Sequence, residues 1–199
     1  VNGHARIDAE AEAMVANLEA TIEDLYAVKG KAEIVNGEIV HMSPTGAAPS
    51  YAALEIALSL RDYCKRTRNG YAVGDNVAFH VKLPNRKSFS PDAAYHIGKW
   101  PGMKFFEGAP IFAVEVRSEG DYGPAAERAM AEKRADYFAA GTLIIWDVDL
   151  RSDDVVKSYR AGEVEPGVFG RGQTADAEPA VPGWSMPVDD LFIDEELEN

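Results

Sequence analysis

Two nearly uninterrupted apolar runs, PIFAVEVR (110–117) and TLIIWDVD (142–149), bracket a stretch of helical spacing from Pro124 to about Ala140. Runs of this length, rich in β-branched and aromatic residues, read as buried strands, and a sheet built from them must be covered by other elements. Gly141 closes the intervening helix. Upstream, VAFHVKL (77–83) alternates as a strand and PDAAYHI (91–97) alternates more weakly. Residues 50–68 carry a helical stripe of Leu54, Leu58, Arg61 and Cys64 that stops at Gly70. The order is helix, three strands, helix, strand, which is an α/β arrangement around one mixed sheet. VVKSYR (155–160) reads as an exposed strand, and residues 161–183, rich in Gly, Pro and acidic groups, as loop.

Ahead of that core, residues 8–20 read as a peripheral helix, and Thr21 with Asp24 has the spacing of a capping box opening a second, short helix. KAEIVNGEIVHM places two β-branched runs around Asn36-Gly37, a strong hairpin signal. No repeat or linker interrupts the chain, so we expect a peripheral extension over 1–20 and a single domain over 21–199.

Charge narrows the function. The chain carries 20 basic and 33 acidic residues, a net of −13, which disfavours diffuse binding to polyanions. The imbalance is uneven. Residues 61–110 hold nine basic and four acidic groups, whereas 161–199 hold one and ten. Cys64 is the only cysteine, and the four histidines have no paired-ligand spacing, so a zinc site is disfavoured. No window approaches a membrane span and no signal-peptide core opens the chain, so a cytoplasmic protein without membrane contact is expected. Ser43 and Ser118 lie in no nucleophile elbow, which disfavours a serine hydrolase.

Polar residues inside strands are the informative exceptions. Alternation puts Glu115 and Arg117 on one face of the central run, about 6.6 Å apart. A carboxylate there requires a partner, either an ion pair such as Arg117 or a bound cation. Asp92 follows Pro91 at the start of a strand; alone it suits a turn, but two carboxylates on neighbouring strands can converge. With a backbone carbonyl they form a hard-oxygen site suited to Mg²⁺ or Mn²⁺. The helix after Pro124 has a seam of Ala126, Met130, Lys133, Tyr137 and Ala140. Its lysine either snorkels to solvent or is aimed at the carboxylates. Glu33 and Glu38 flank the hairpin turn, at the surface unless one approaches the site.

Together the segments TIEDLYAV, AEIVNGEIVHMSPTG, SPDAAYHI, APIFAVEVRSEGD, EKRADYFAAGTLIIWDVD and VPGWSMPVDDLF resemble the Uma-type restriction endonuclease family, within the PD-(D/E)XK nuclease superfamily. The resemblance spans about residues 21–192. It implies a restriction-endonuclease-like core preceded by a helix and a β-hairpin. It makes Pro91-Asp92 the PD element and Glu115-Val116-Arg117 the (D/E)-X-K element, with Arg117 where lysine is usual. Lys133 matches the family's helix-borne lysine, and Glu33 a glutamate of its hairpin. Pro49 stands where many relatives carry histidine.

The expectation is a Mg²⁺- or Mn²⁺-dependent endonuclease acting on DNA. Asp92, Glu115 and the Val116 carbonyl would hold the metal, Lys133 would act in the chemical step, and Arg117 would orient Glu115 or hold phosphate. Lys65, Arg66, Arg68, Lys82, Arg86 and Lys87 would meet phosphates, and a two-fold homodimer would serve duplex cleavage. The alternative is a non-catalytic nuclease-fold module for binding or assembly.

Overall fold

The computed structural model describes residues 19–193. Most of the helix expected over 8–20 therefore lies outside the described residues. Glu19 and Ala20 are coil, and the Ala20 N–H donates to the Gly37 carbonyl (2.8 Å). Helix α1 (Ile22–Ala27) opens on the expected capping box: the Asp24 N–H donates to the Thr21 hydroxyl (3.2 Å), and the Thr21 N–H to the Asp24 carboxylate (2.8 Å). Strands β1 (Ala32–Val35) and β2 (Glu38–His41) form the expected hairpin. Both turn residues have positive φ, Asn36 at 51° and Gly37 at 78°, which matches the right-handed twist of the strands.

Helix α2 (Ala47–Thr67) leads into β3 (Tyr71–Val73). Then come β4 (Phe79–His80), β5 (Ser88–Phe89), β6 (Ala93–His96), β7 (Phe106–Glu107) and β8 (Phe112–Val116). Helix α3 (Pro124–Ala139) crosses to β9 (Ile144–Val148). The chain continues through β10 (Val156–Arg160), β11 (Gly167–Phe169), β12 (Thr174–Asp176) and β13 (Ser185–Pro187) to a 3₁₀ turn at Val188–Leu191. The principal sheet has six strands in the order β11-β10-β9-β8-β6-β3, and β8 and β9 are parallel across the α3 crossover.

Side-chain alternation divides this sheet into two working faces. On one, Tyr95, Phe112, Val114, Ile144 and Trp146 pack with Ile56, Leu60 and Tyr63 of α2 and with Trp184. On the other, Ala94, Ala113 and Ile145 pack with Tyr137 of α3 and with Phe79, Phe89 and Phe106 of the small β5-β4-β7 sheet. Glu115 and Asp147 follow Ala113 and Ile145 on this second face, beneath α3.

Four expectations need correction. VAFHVKL contributes only two residues of strand, and these join the small sheet; the edge of the principal sheet is β3 instead. The buried stripe of α2 is Ala52, Ala53, Ile56, Leu60 and Tyr63, while Leu54 is exposed. Two alanines let the first half of the helix lie close to the sheet, and Leu54 falls on its solvent side. Residues 161–183 are not all loop, because β11 and β12 lie there. Finally, β10 is half-buried, with Val156 and Ser158 inside.

Candidate active site

The antiparallel register of β6 with β8 pairs Ala93 with Val114, and therefore sets Asp92 beside Glu115 on the α3 face. The start of β6 is tied down at two points. The Asp92 N–H donates to the Val114 carbonyl (3.0 Å), and the Val116 N–H donates to Asp92 Oδ2 (2.8 Å). The N–H and C=O of a strand residue leave by the same edge, so the Val116 carbonyl leaves by the edge on which Asp92 sits.

Lys133 comes down from α3 onto these carboxylates. Its Nζ lies 2.9 Å from Glu115 and 3.0 Å from Glu33 Oε1. The Tyr137 hydroxyl, one turn further along the same seam, donates to Glu115 Oε1 (2.7 Å). Glu33 is 2% exposed. It accepts from the Ser90 N–H (2.8 Å) and pairs with the Arg86 guanidinium. Arg86 in turn binds Asp136 of α3 (2.8 Å). On the other flank, Lys31 Nζ binds Asp92 Oδ1 (2.6 Å) and Asp75 (2.7 Å). The hairpin, β6, β8 and α3 are thus joined by one polar network.

The charge states follow from these neighbours. Burial raises the Glu115 pKa above the ordinary carboxylate value; Lys133 works against the rise, while Asp92 and Glu33 add to it. Burial opposes the charge on Lys133, but Glu115 and Glu33 more than offset it and hold its pKa above the usual lysine value. Burial likewise opposes the Glu33 charge, and Lys133 with Arg86 reverses that effect, leaving the pKa lowered. Burial, with Glu115 and Glu33 nearby, keeps the Tyr137 phenol protonated far above its ordinary pKa. The lysine is therefore a fixed cation, and the tyrosine a fixed donor.

Arg117 shares the sheet face of Glu115, as alternation requires, but does not orient it. Its Nε and Nη2 fork onto Asp147 at 2.8 Å each, and its other bonds go to Glu127. Asp147 is buried and also lies 3.5 Å from Arg134. Arg117 thus ties β8, β9 and α3 together.

The basic middle of the chain is also partitioned. Arg86 is buried in the Glu33–Asp136 pair, and Lys87 binds Glu19 (2.8 Å). Lys65, Arg66 and Arg68 lie at the C-terminal end of α2. The residues before that helix, Ser43 to Gly46, line the site cleft, so its 21 residues put the cations roughly 30 Å from that end. Pro49 sits in the first turn of α2, and Glu38 is exposed on β2.

Sequence reasoning overlooked Lys31, Asp147 and the hydroxyl of Tyr137. Lys31 meets Asp92 across 61 residues of chain, and nothing local announces that contact. Tyr137 was visible as a seam residue, and its partner follows only once Glu115 is known to face α3.

The cleft over these residues has a volume of about 1280 Å³. Nine carboxylates and five cations line it. Among the described residues no group of three or more His, Cys, Asp or Glu side chains is gathered as a metal site. Asp92 and Glu115 nevertheless offer the donor chemistry of a hard cation, two carboxylates beside a strand-edge carbonyl. The surplus of carboxylates over cations in the lining leaves negative charge there for a cation to meet. Among the described residues no helix is long and apolar enough to cross a membrane.

A family model, "Uma2: Putative restriction endonuclease", matches residues 20–189. A crystal structure from Anabaena variabilis, described as "a putative nuclease belonging to DUF820", is similar at a TM-score of 0.68 and 17% identity, with 87% of this chain and 97% of that one covered. No curated protein matches.

Proposed function

The chain belongs to the Uma2 family of restriction-endonuclease-like proteins, and from that premise we propose that it is a divalent-metal-dependent endonuclease that hydrolyses phosphodiester bonds in DNA. The observation that carries the reading is the meeting of Asp92, Glu115 and Lys133 on one sheet face under α3.

In this reading Asp92, Glu115 and the Val116 carbonyl hold a Mg²⁺ or Mn²⁺ ion. When bound, the ion supplies Lewis-acid polarisation of the phosphate and a water of lowered pKa. The protein's part is positioning and charge. Tyr137 and Lys133 fix the Glu115 carboxylate from one side, and the Val116 N–H and Lys31 fix Asp92. Lys133 keeps its proton and presents a compact positive charge where negative charge develops on the phosphate oxygens. Glu33 is a positioning residue that holds the lysine against Glu115. Arg117 is a brace in this scheme.

The same reading takes the protein as a cytoplasmic homodimer, since cutting both strands of a duplex is served by two sites, with residues 21–199 as one nuclease-like domain. Incubation of supercoiled plasmid and labelled single- and double-stranded oligonucleotides with and without Mg²⁺ or Mn²⁺ tests it. Cleavage that requires the metal is expected. Intact substrates under every condition would replace the enzyme with a binding or assembly module.

A further inference from the structure

Away from the carboxylates, at the opposite end of β6, the surface changes character. Residues 97–104 form an exposed loop, IGKWPGMK, whose turn is closed by the Lys104 N–H donating to the Pro101 carbonyl (3.3 Å). Gly102 takes the left-handed backbone this turn needs, at φ 68°. Trp100 is 54% exposed and Met103 wholly so. The indole is not loose, because Tyr71 and Phe106 hold its ring at centroid distances of 5.1 and 5.8 Å. It is a braced aromatic surface with one side open to solvent.

The pairing of Tyr71 with His96 runs residues 68–70 alongside 97–99, so the C-terminal cap of α2 comes to the same corner. Lys65, Arg66 and Arg68 of that cap and Lys99 and Lys104 of the loop are all exposed. Among the described residues none of the five forms an ion pair. Asp62, one turn before Arg66, is held by Arg61 instead (3.2 Å). Five uncompensated cations in a chain of net charge −13 mark a local site for a polyanion.

We propose that this corner docks single-stranded nucleic acid, with an unpaired base stacked on Trp100 and flanking phosphates neutralised by the five cations. Charge alone would serve any polyanion. The braced indole selects a strand whose bases are free to stack, because a paired base buries its faces in the duplex. The choice of nucleic acid rests on the nuclease reading, but the platform is separate from the cleft. Asp92 and His96 are about 13 Å apart along β6, Trp100 lies beyond His96, and it does not line the cleft.

Tryptophan fluorescence gives a direct test. Of the three tryptophans, Trp146 and Trp184 are 1% and 3% exposed, so quenching by an added strand reports on Trp100. The titration is run without divalent metal on the parent and on Lys133→Met, which separates docking from catalysis. An oligothymidylate should quench both saturably, and the affinity should fall with salt. Trp100→Ala, read by competition against a labelled strand, should bind roughly tenfold or more weakly, and Trp100→Phe should recover part of that loss. Lys99→Gln with Lys104→Gln should lower the salt slope by about 0.7 per lysine removed. Equal binding of a perfect duplex, or an affinity unchanged in Trp100→Ala, would overturn the proposal. So would a blue shift on anionic phospholipid vesicles with no response to oligonucleotide, which would assign the loop to a membrane surface. Quenching without cleavage would leave the platform standing and remove the nuclease.

Discussion

Two cations on the α3 face hold different carboxylates. Arg117, two residues after Glu115, spends its fork on Asp147 and Glu127, while Lys133 reaches Glu115 from α3. A planar guanidinium matches the two oxygens of Asp147, which a lysine cannot do. Arg117→Lys keeps the charge and loses the fork over a buried carboxylate, so it should lower unfolding stability by about 1–3 kcal/mol, read as an earlier urea midpoint. A midpoint equal to the parent's would show that Asp147 needs only a nearby positive charge. The core pair of carboxylates was legible in the residues, because Glu115 interrupts an apolar strand and Asp92 opens the neighbouring one. The partners were not legible to the same degree. A guanidinium on the right face can turn to either side, and only the position of Asp147 on the adjacent parallel strand decides which.

At the scale of elements, α3, the hairpin and the strands β6, β8 and β9 were visible in the sequence because each has a long period or a specific turn signal. The three-residue strand β3 and the short strands β11 and β12 were not, because two or three residues cannot establish an alternation. The two-residue β4 was overread for a related reason, since its alternating neighbourhood serves a local sheet. The end of β6 carries a titratable weakness. His96 is buried between the rings of Phe79 and Phe106, and its Nδ1 has no hydrogen-bond partner among the described residues. Burial lowers its pKa below the ordinary histidine value, so the folded state resists protonation that the unfolded chain accepts. The stability from neutral His96 is thus complete above the unfolded pKa of about 6.5 and is lost as the pH falls below it. Urea unfolding at pH 7.5 and pH 5 should show the parent losing more stability than His96→Phe, which fills the same aromatic slot without a proton to gain. An equal loss in both would move the acid sensitivity to the carboxylate network.

Across the whole molecule the distribution of charge is more informative than its sum. The cleft is acidic, its lysines are engaged, and five cations without an ion pair among the described residues gather at the other end of the sheet. An excess of carboxylates in a cleft makes cation binding a contribution to folding, by mass action on the native state. At ten times its dissociation constant, Mn²⁺ should stabilise the fold by about 1.4 kcal/mol, a rise of roughly 3–6 °C in Tm for a chain of this size. Asp92→Asn should abolish the rise. A parent whose Tm ignores millimolar Mn²⁺ would leave the carboxylates as a purely internal salt-bridge system.

If that cation and the helix-borne lysine act together on the phosphate, the rate of cleavage by Lys133→Met must show it. The substitution should leave the fold intact, because Glu33 keeps Arg86 and the Ser90 N–H, and Glu115 keeps the Tyr137 hydroxyl and can take up a proton. With Mn²⁺ and a labelled DNA substrate, the parent should show metal-dependent cleavage, and a folded Lys133→Met protein a rate lower by about a hundredfold or more. Cleavage by Lys133→Met at the parental rate would contradict that joint action.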